Sequence, residues 1–154
     1  MRFYEYYNVD EAMTELPEAE ARSRDTYAEQ HEAPLLHYRI IFDGTLERVV
    51  YPGFSPDQEI VRFHSAHYGQ VPFWIVSPVE RSEAGTHYDT WYYESASTRP
   101  TRVHYDNGKT QILETFYDED GRLAGSNERR FHEWGEHIET ISRDASGRIV
   151  SIDD

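Results

Sequence analysis

The sequence predicts a mainly β protein: an antiparallel meander of about nine or ten strands, barrel-like or strongly curled, with one short N-terminal helical segment. Three observations predict it. Gly108, Gly121, Gly135 and Gly147 recur at spacings of 13, 14 and 12 residues, each inside a polar cluster between segments rich in Ile, Leu, Val, Thr, Phe and Tyr. That is the pattern of consecutive hairpins, whose tight turns favour residues able to take positive φ. Aromatics are abundant, with 12 Tyr, 7 Phe and 3 Trp, and suit pleated surfaces and cross-strand pairs. Helical periodicity is scarce after residue 34, so the strand pattern has no competitor there.

In chain order, Phe3 to Tyr7 reads as a short first strand. Asp10 to about His31 is the helical candidate, with Asn8 or Asp10 as cap and Glu11, Glu15, Glu18 and Glu20 as helix formers. Pro17 interrupts it, which implies two short pieces or one helix starting near the proline. Leu35 to Asp43 and Thr45 to Tyr51 form a hairpin turning at Asp43-Gly44. Pro52 to Asp57 is a loop; Glu59 to His64, Val71 to Ser77 and Thr86 to Glu94 read as strands. Ser95 to Thr101 resembles a linker but is too short to divide the chain, so residues 1–154 are expected to form one domain: a lead-in at 1–34, first hairpins at 35–95, and a five-strand meander at 101–152.

Two hairpins of that meander share a pattern. Asp118-Glu119-Asp120-Gly121-Arg122-Leu123 and Asp144-Ala145-Ser146-Gly147-Arg148-Ile149 both read Asp-x-x-Gly-Arg-aliphatic, at an offset of 26 residues. In these residues the chain resembles the tyrosine-aspartate repeats of the rearrangement-hotspot proteins. The resemblance covers about 35 residues and departs from the family pattern at Arg143, Thr115 and Ile141, where aromatics are expected. It implies stacked antiparallel hairpins in a bacterial protein, with short relatives acting as antitoxin or immunity proteins. Turn chemistry alone also accounts for Asp-x-x-Gly-Arg before a strand.

Charge narrows the function. The chain carries 29 acidic and 15 basic residues, formally −14 with histidine neutral. Such a field disfavours nucleic acids and anionic membranes and favours a basic protein partner; plain solubility is the other reading. With no cysteine there is no disulfide or thiolate metal site, which fits a reducing compartment, and no apolar run is long enough for a membrane span. A cytoplasmic protein is therefore expected.

Three groups of residues invite chemistry. The eight histidines prompt a metal hypothesis. In strands, however, His64 and His67 would face opposite ways; His132 and His137 flank a turn that could bring them near one another, with Glu133 and Glu136 between, but the spacings do not make a ligand set, and no metal or cofactor is expected. In Thr86 to Glu94, alternation sets His87, Asp89, Trp91 and Tyr93 on one face. Inside a barrel that face, joined by His104 and Glu114, offers acid–base catalysis through His87, Asp89, Tyr93 and His104, and small-molecule binding through Trp91 and Glu114. Lastly, Asp118, Glu119 and Asp120 crowd one hairpin tip, while Glu128, Glu133, Glu136 and Glu139 crowd the next strands around Trp134. Like charges so close repel, and a cationic partner would supply the missing counter-charge.

Two function classes follow. One is an acidic, immunity- or antitoxin-like inhibitor of a basic toxin or nuclease, binding through that acidic cluster and Trp134. The other is a small lipocalin-like barrel enzyme or ligand carrier built on the His87 face. Phosphate-cradling loops, nucleophile elbows and dinucleotide fingerprints are missing, which removes the commonest nucleotide and hydrolase templates.

Overall fold

A computed structural model describes residues 1–154. The chain forms β1 (Arg2–Tyr4), β2 (Glu15–Leu16), α1 (Glu18–Arg22), β3 (Thr26–His31), β4 (His37–Phe42), β5 (Thr45–Pro52), α2 (Gln58–Tyr68), β6 (Phe73–Val76) and β7 (Glu80–Ser82). It continues with β8 (Gly85–Tyr93), β9 (Thr101–Asn107), β10 (Gln111–Tyr117), β11 (Leu123–Phe131), β12 (His137–Asp144) and β13 (Ile149–Asp153). The mainly β class holds. There are 13 strands rather than nine or ten, the sheet is mixed, and its terminal strands β13 and β2 do not pair, so no barrel closes. No helix is long and apolar enough to cross a membrane.

Packing divides the residues into two compact units, the first 1–78 with 92–98 and the second 79–91 with 99–154. In the first, hydrogen bonding orders the strands β6-β5-β4-β3-β1-β2. The hairpin at Asp43-Gly44 forms as its sequence requires, with φ of 51° and 76° at the two turn residues. Phe3, Leu16, Ala21, Tyr27 and Ile41 pack together, and Val49, Val50, Tyr51, Phe73, Ile75 and Val76 are wholly buried.

Three expectations fail in this unit. The helical candidate at 10–31 keeps only the turn after Pro17, because Thr26 to His31 is claimed by pairing with both β1 and β4, burying Tyr27, Ala28 and Glu29. Glu59 to His64 is helix, not strand. Asp57 caps α2 by accepting the Glu59 amide at 2.8 Å, Gly69 ends it at φ 63°, and Ile60 and His64 share the buried face four residues apart. Because a helix intervenes, β5 and β6 pair parallel instead of forming another hairpin.

The second unit orders its strands β13-β12-β11-β10-β9-β8, with β7 on β8. The five-strand meander is present, every neighbouring pair antiparallel. Only Val103, Gly125 and Ile141 in these five strands are buried, so cross-strand pairs rather than a deep core hold the sheet. Tyr88 stacks on Tyr105 at 4.8 Å, and the Arg102 guanidinium lies 4.0 Å from the Tyr117 ring centre.

Candidate functional site

The turn between β11 and β12 is closed by backbone hydrogen bonds from His132 to the Glu136 carbonyl and from Gly135 to the His132 carbonyl. This frame holds Trp134 outward, 73% exposed. The indole is not loose: it stacks on the His132 ring at 4.2 Å and 5°, and its Nε1–H donates to Glu136 at 3.0 Å. An exposed aromatic plane, fixed in orientation and flanked by Glu133 and Glu136, suits the capture of a cationic or apolar side chain.

Most other carboxylates of the expected partner-binding group already have counter-charges within the chain. Arg99 lies 3.1 Å from Asp120 and 3.7 Å from Glu119. Glu128 meets Arg143 at 2.9 Å and accepts the Gln111 amide at 2.7 Å, and Glu139 meets Arg130 at 2.8 Å. Asp118 spends its carboxylate on its own turn, accepting the Asp120 and Arg122 amides at 2.9 Å each. Thus arginines answer much of the repulsion read from composition. Glu133 and Glu136, beside Trp134, pair with no cation of the chain.

The β8 face is assembled only in part. Asp89 accepts from His104 Nδ1–H at 3.1 Å, with Arg102 at 3.9 Å, and His87 lies between Glu80 at 3.5 Å and Asp106 at 3.8 Å. Tyr93 belongs to the first unit, where its ring stacks on Phe73 at 4.3 Å. Glu114 pairs with Arg129 at 2.7 Å. The alternation is also reversed: Tyr88 and Thr90 are the buried residues, while His87, Asp89 and Trp91 are half-exposed. The polar face is therefore the wetter one.

No cluster of three or more His, Asp or Glu side chains could hold a metal. The histidines have other work. His64 accepts the Tyr51 hydroxyl at 2.8 Å through Nδ1 and donates from Nε2 to the Val71 carbonyl at 2.7 Å, and burial pushes its pKa down to about 4. His37 donates to the Leu35 carbonyl at 2.9 Å and accepts the Tyr68 hydroxyl at 2.5 Å; burial lowers its pKa as well. His67 donates to the Phe63 carbonyl at 2.9 Å.

One polar group escaped the sequence reading. Glu29 is 4% exposed, with Arg39 at 3.1 Å and His31 at 3.4 Å, and the His31 ring stacks on His37 at 5.1 Å. Glu29 and His31 alternate on β3, as His37 and Arg39 do on β4, which is the signal that could have found it.

Comparison of the chain with protein-family models, with curated proteins and with solved structures found no match.

Proposed function

We propose that this chain is an acidic binding protein, an immunity- or antitoxin-like inhibitor that neutralises a basic protein partner such as a toxin or nuclease in the bacterial cytoplasm. The observation that carries the reading is Trp134: exposed, held against His132 and Glu136, and flanked by carboxylates without a counter-ion. Burying such a ring gains apolar area at little entropic cost, because its orientation is already set. A lysine or arginine of the partner would meet both the indole face and the two carboxylates. The formal charge of −14 adds long-range attraction for a basic surface.

The test is affinity capture from the native host, or with the product of the adjacent gene, using wild type and Trp134→Ala side by side. The reading expects one basic protein retained by wild type and depleted on the variant. Equal retention, or thermal protection by a small molecule in place of any protein, would count against it.

A second reading is favoured by one observation, the 3.1 Å contact between Asp89 and His104. A carboxylate that orients an imidazole is the core of general-base chemistry, so a ligand-binding or acid–base role on the β8 face is the alternative.

A further inference from the structure

β13 is the last strand of its ladder: one edge pairs with β12 and the other carries no strand. All five of its residues are exposed. Ile149, Val150 and Ile152 are 49%, 63% and 54% exposed, and Val150 has no register partner on β12, because pairing steps from Ile149 to Ser151. Bare edges are usually guarded by a lysine, a proline or an inward charge, since they template pairing with another chain. Between Arg148 and Asp153 this strand has no charge and no proline. Opposite charges sit at its two ends instead, Arg148 before it, Asp153 as its last residue and Asp154 after it. Neither Arg148 nor Asp154 joins an ion pair within the chain.

We propose that β13 is a self-complementary edge that pairs antiparallel with β13 of a second copy of this chain, about a two-fold axis through Ser151. In that register Ser151 faces Ser151, Val150 faces the partner's Ile152, Ile149 faces the partner's Asp153, and Arg148 faces the partner's Asp154; symmetry repeats the last three pairs. Of the three registers near the strand's centre it alone joins Arg148 to an aspartate, and its two Val150–Ile152 contacts offset the two placements of Ile149 against Asp153. Centring the pair on Val150 would set Arg148 against Ile152, and centring it on Ile152 would set Val150 against Asp154. Repulsion between two copies of charge −14 weakens the association, so dimer accumulates only as concentration rises. The proposed contact uses the outer edge of β13 and none of the turn residues 132–136, so either reading can fail without the other.

The chain has no cysteine, so a single introduced thiol reports the register. Ser151→Cys, Asp153→Cys and, as an exposed control in the other unit, Ser55→Cys are oxidised with diamide, which takes up the two hydrogens lost by a pair of thiols. Covalent dimer is expected to form several-fold faster for Ser151→Cys than for the other two, because only that residue faces itself across the axis. Sedimentation equilibrium supplies the independent arm. Wild type is expected to exceed its monomer mass of 18.1 kDa as concentration rises. Arg148→Asp and Asp154→Arg should each weaken association about tenfold, and the double exchange should restore it. The Arg148 change spares the turn, which uses only the backbone of that residue. Equal cross-linking at the three positions, a monomer at every concentration, or a double exchange as weak as the single ones would overturn the proposal.

Discussion

Asp118 and Asp144 perform the same act in two different turns. Each accepts two backbone N–H groups through Oδ1, from Asp120 and Arg122 at 2.9 Å each and from Ser146 and Arg148 at 2.9 and 3.0 Å. Each also donates its own amide to the arginine carbonyl at 2.9 Å and receives the glycine amide at 3.0 Å. The repeated Asp-x-x-Gly-Arg is thus a complete hydrogen-bonded turn, and its residue types follow from that geometry.

Gly121 and Gly147 close those turns at φ of 79° and 84°, with open space where a Cβ would project. The cost of a side chain is therefore backbone strain without collision. Changing either to Val should lower stability by about 1–2 kcal/mol, measured by urea unfolding. Asp118→Ala should cost about 1 kcal/mol while Asp118→Asn, which keeps the accepting oxygen, costs less. Wild-type stability in both Val variants would contradict the turn assignment.

Acid should weaken the protein through its buried imidazoles. The His64 pKa is about 4 in the fold against an ordinary 6.5, so below pH 6.5 the unfolded chain takes up a proton that the folded chain refuses. Stability from this group is complete above pH 6.5 and falls progressively as pH drops toward 4, by on the order of 3 kcal/mol. His37 acts in the same direction. Denaturant midpoints at about pH 7.5 and about pH 5 should differ clearly for wild type. They should differ less for His64→Leu combined with Tyr51→Phe, which removes the imidazole without orphaning its hydroxyl partner. An unchanged difference would assign the acid sensitivity elsewhere.

Arg39 is the counter-ion of a carboxylate that has left water. Removing it by Arg39→Met strands Glu29 in the core, and the expected loss is on the order of 3 kcal/mol by urea unfolding. Glu29→Gln in the same chain should recover part of it, since the uncompensated charge is gone. No loss in the single variant would mean that Glu29 is satisfied without Arg39.

Trp134→Ala should leave folding alone. The ring is 73% exposed and the turn is held by backbone bonds, so the stability change should stay within about 0.5 kcal/mol. This separates any loss of binding from loss of structure.

The sequence made the meander legible because each of its turns carries its own chemistry: glycines every 12 to 14 residues and aspartates three residues ahead of two of them. It hid α2, since Ile60, Val61 and Phe63 suit a strand as well as a helix over so short a window, and the deciding signals were Asp57 and Gly69 at its ends. It hid β3 because Ala, Glu and Gln favour helix locally, while β1 and β4 impose extended pairing from outside. At the candidate site, Trp134 was legible as an exposed turn residue. Its neighbours' counter-ions were not, because the Glu128–Arg143 and Glu114–Arg129 pairs are diagonal across the ladder and emerge only once the register is known.

Recognition of a basic protein by the fixed Trp134 indole and its counter-ion-less neighbours Glu133 and Glu136 is decided by association kinetics of the captured partner at rising salt, with wild type and Trp134→Ala. The on-rate should fall at least about tenfold between low and molar salt, because charge steering acts before contact. The variant should lose about 2 kcal/mol of affinity, roughly thirtyfold, mainly through faster dissociation. An on-rate indifferent to salt, together with a variant that binds as tightly as wild type, would contradict such recognition.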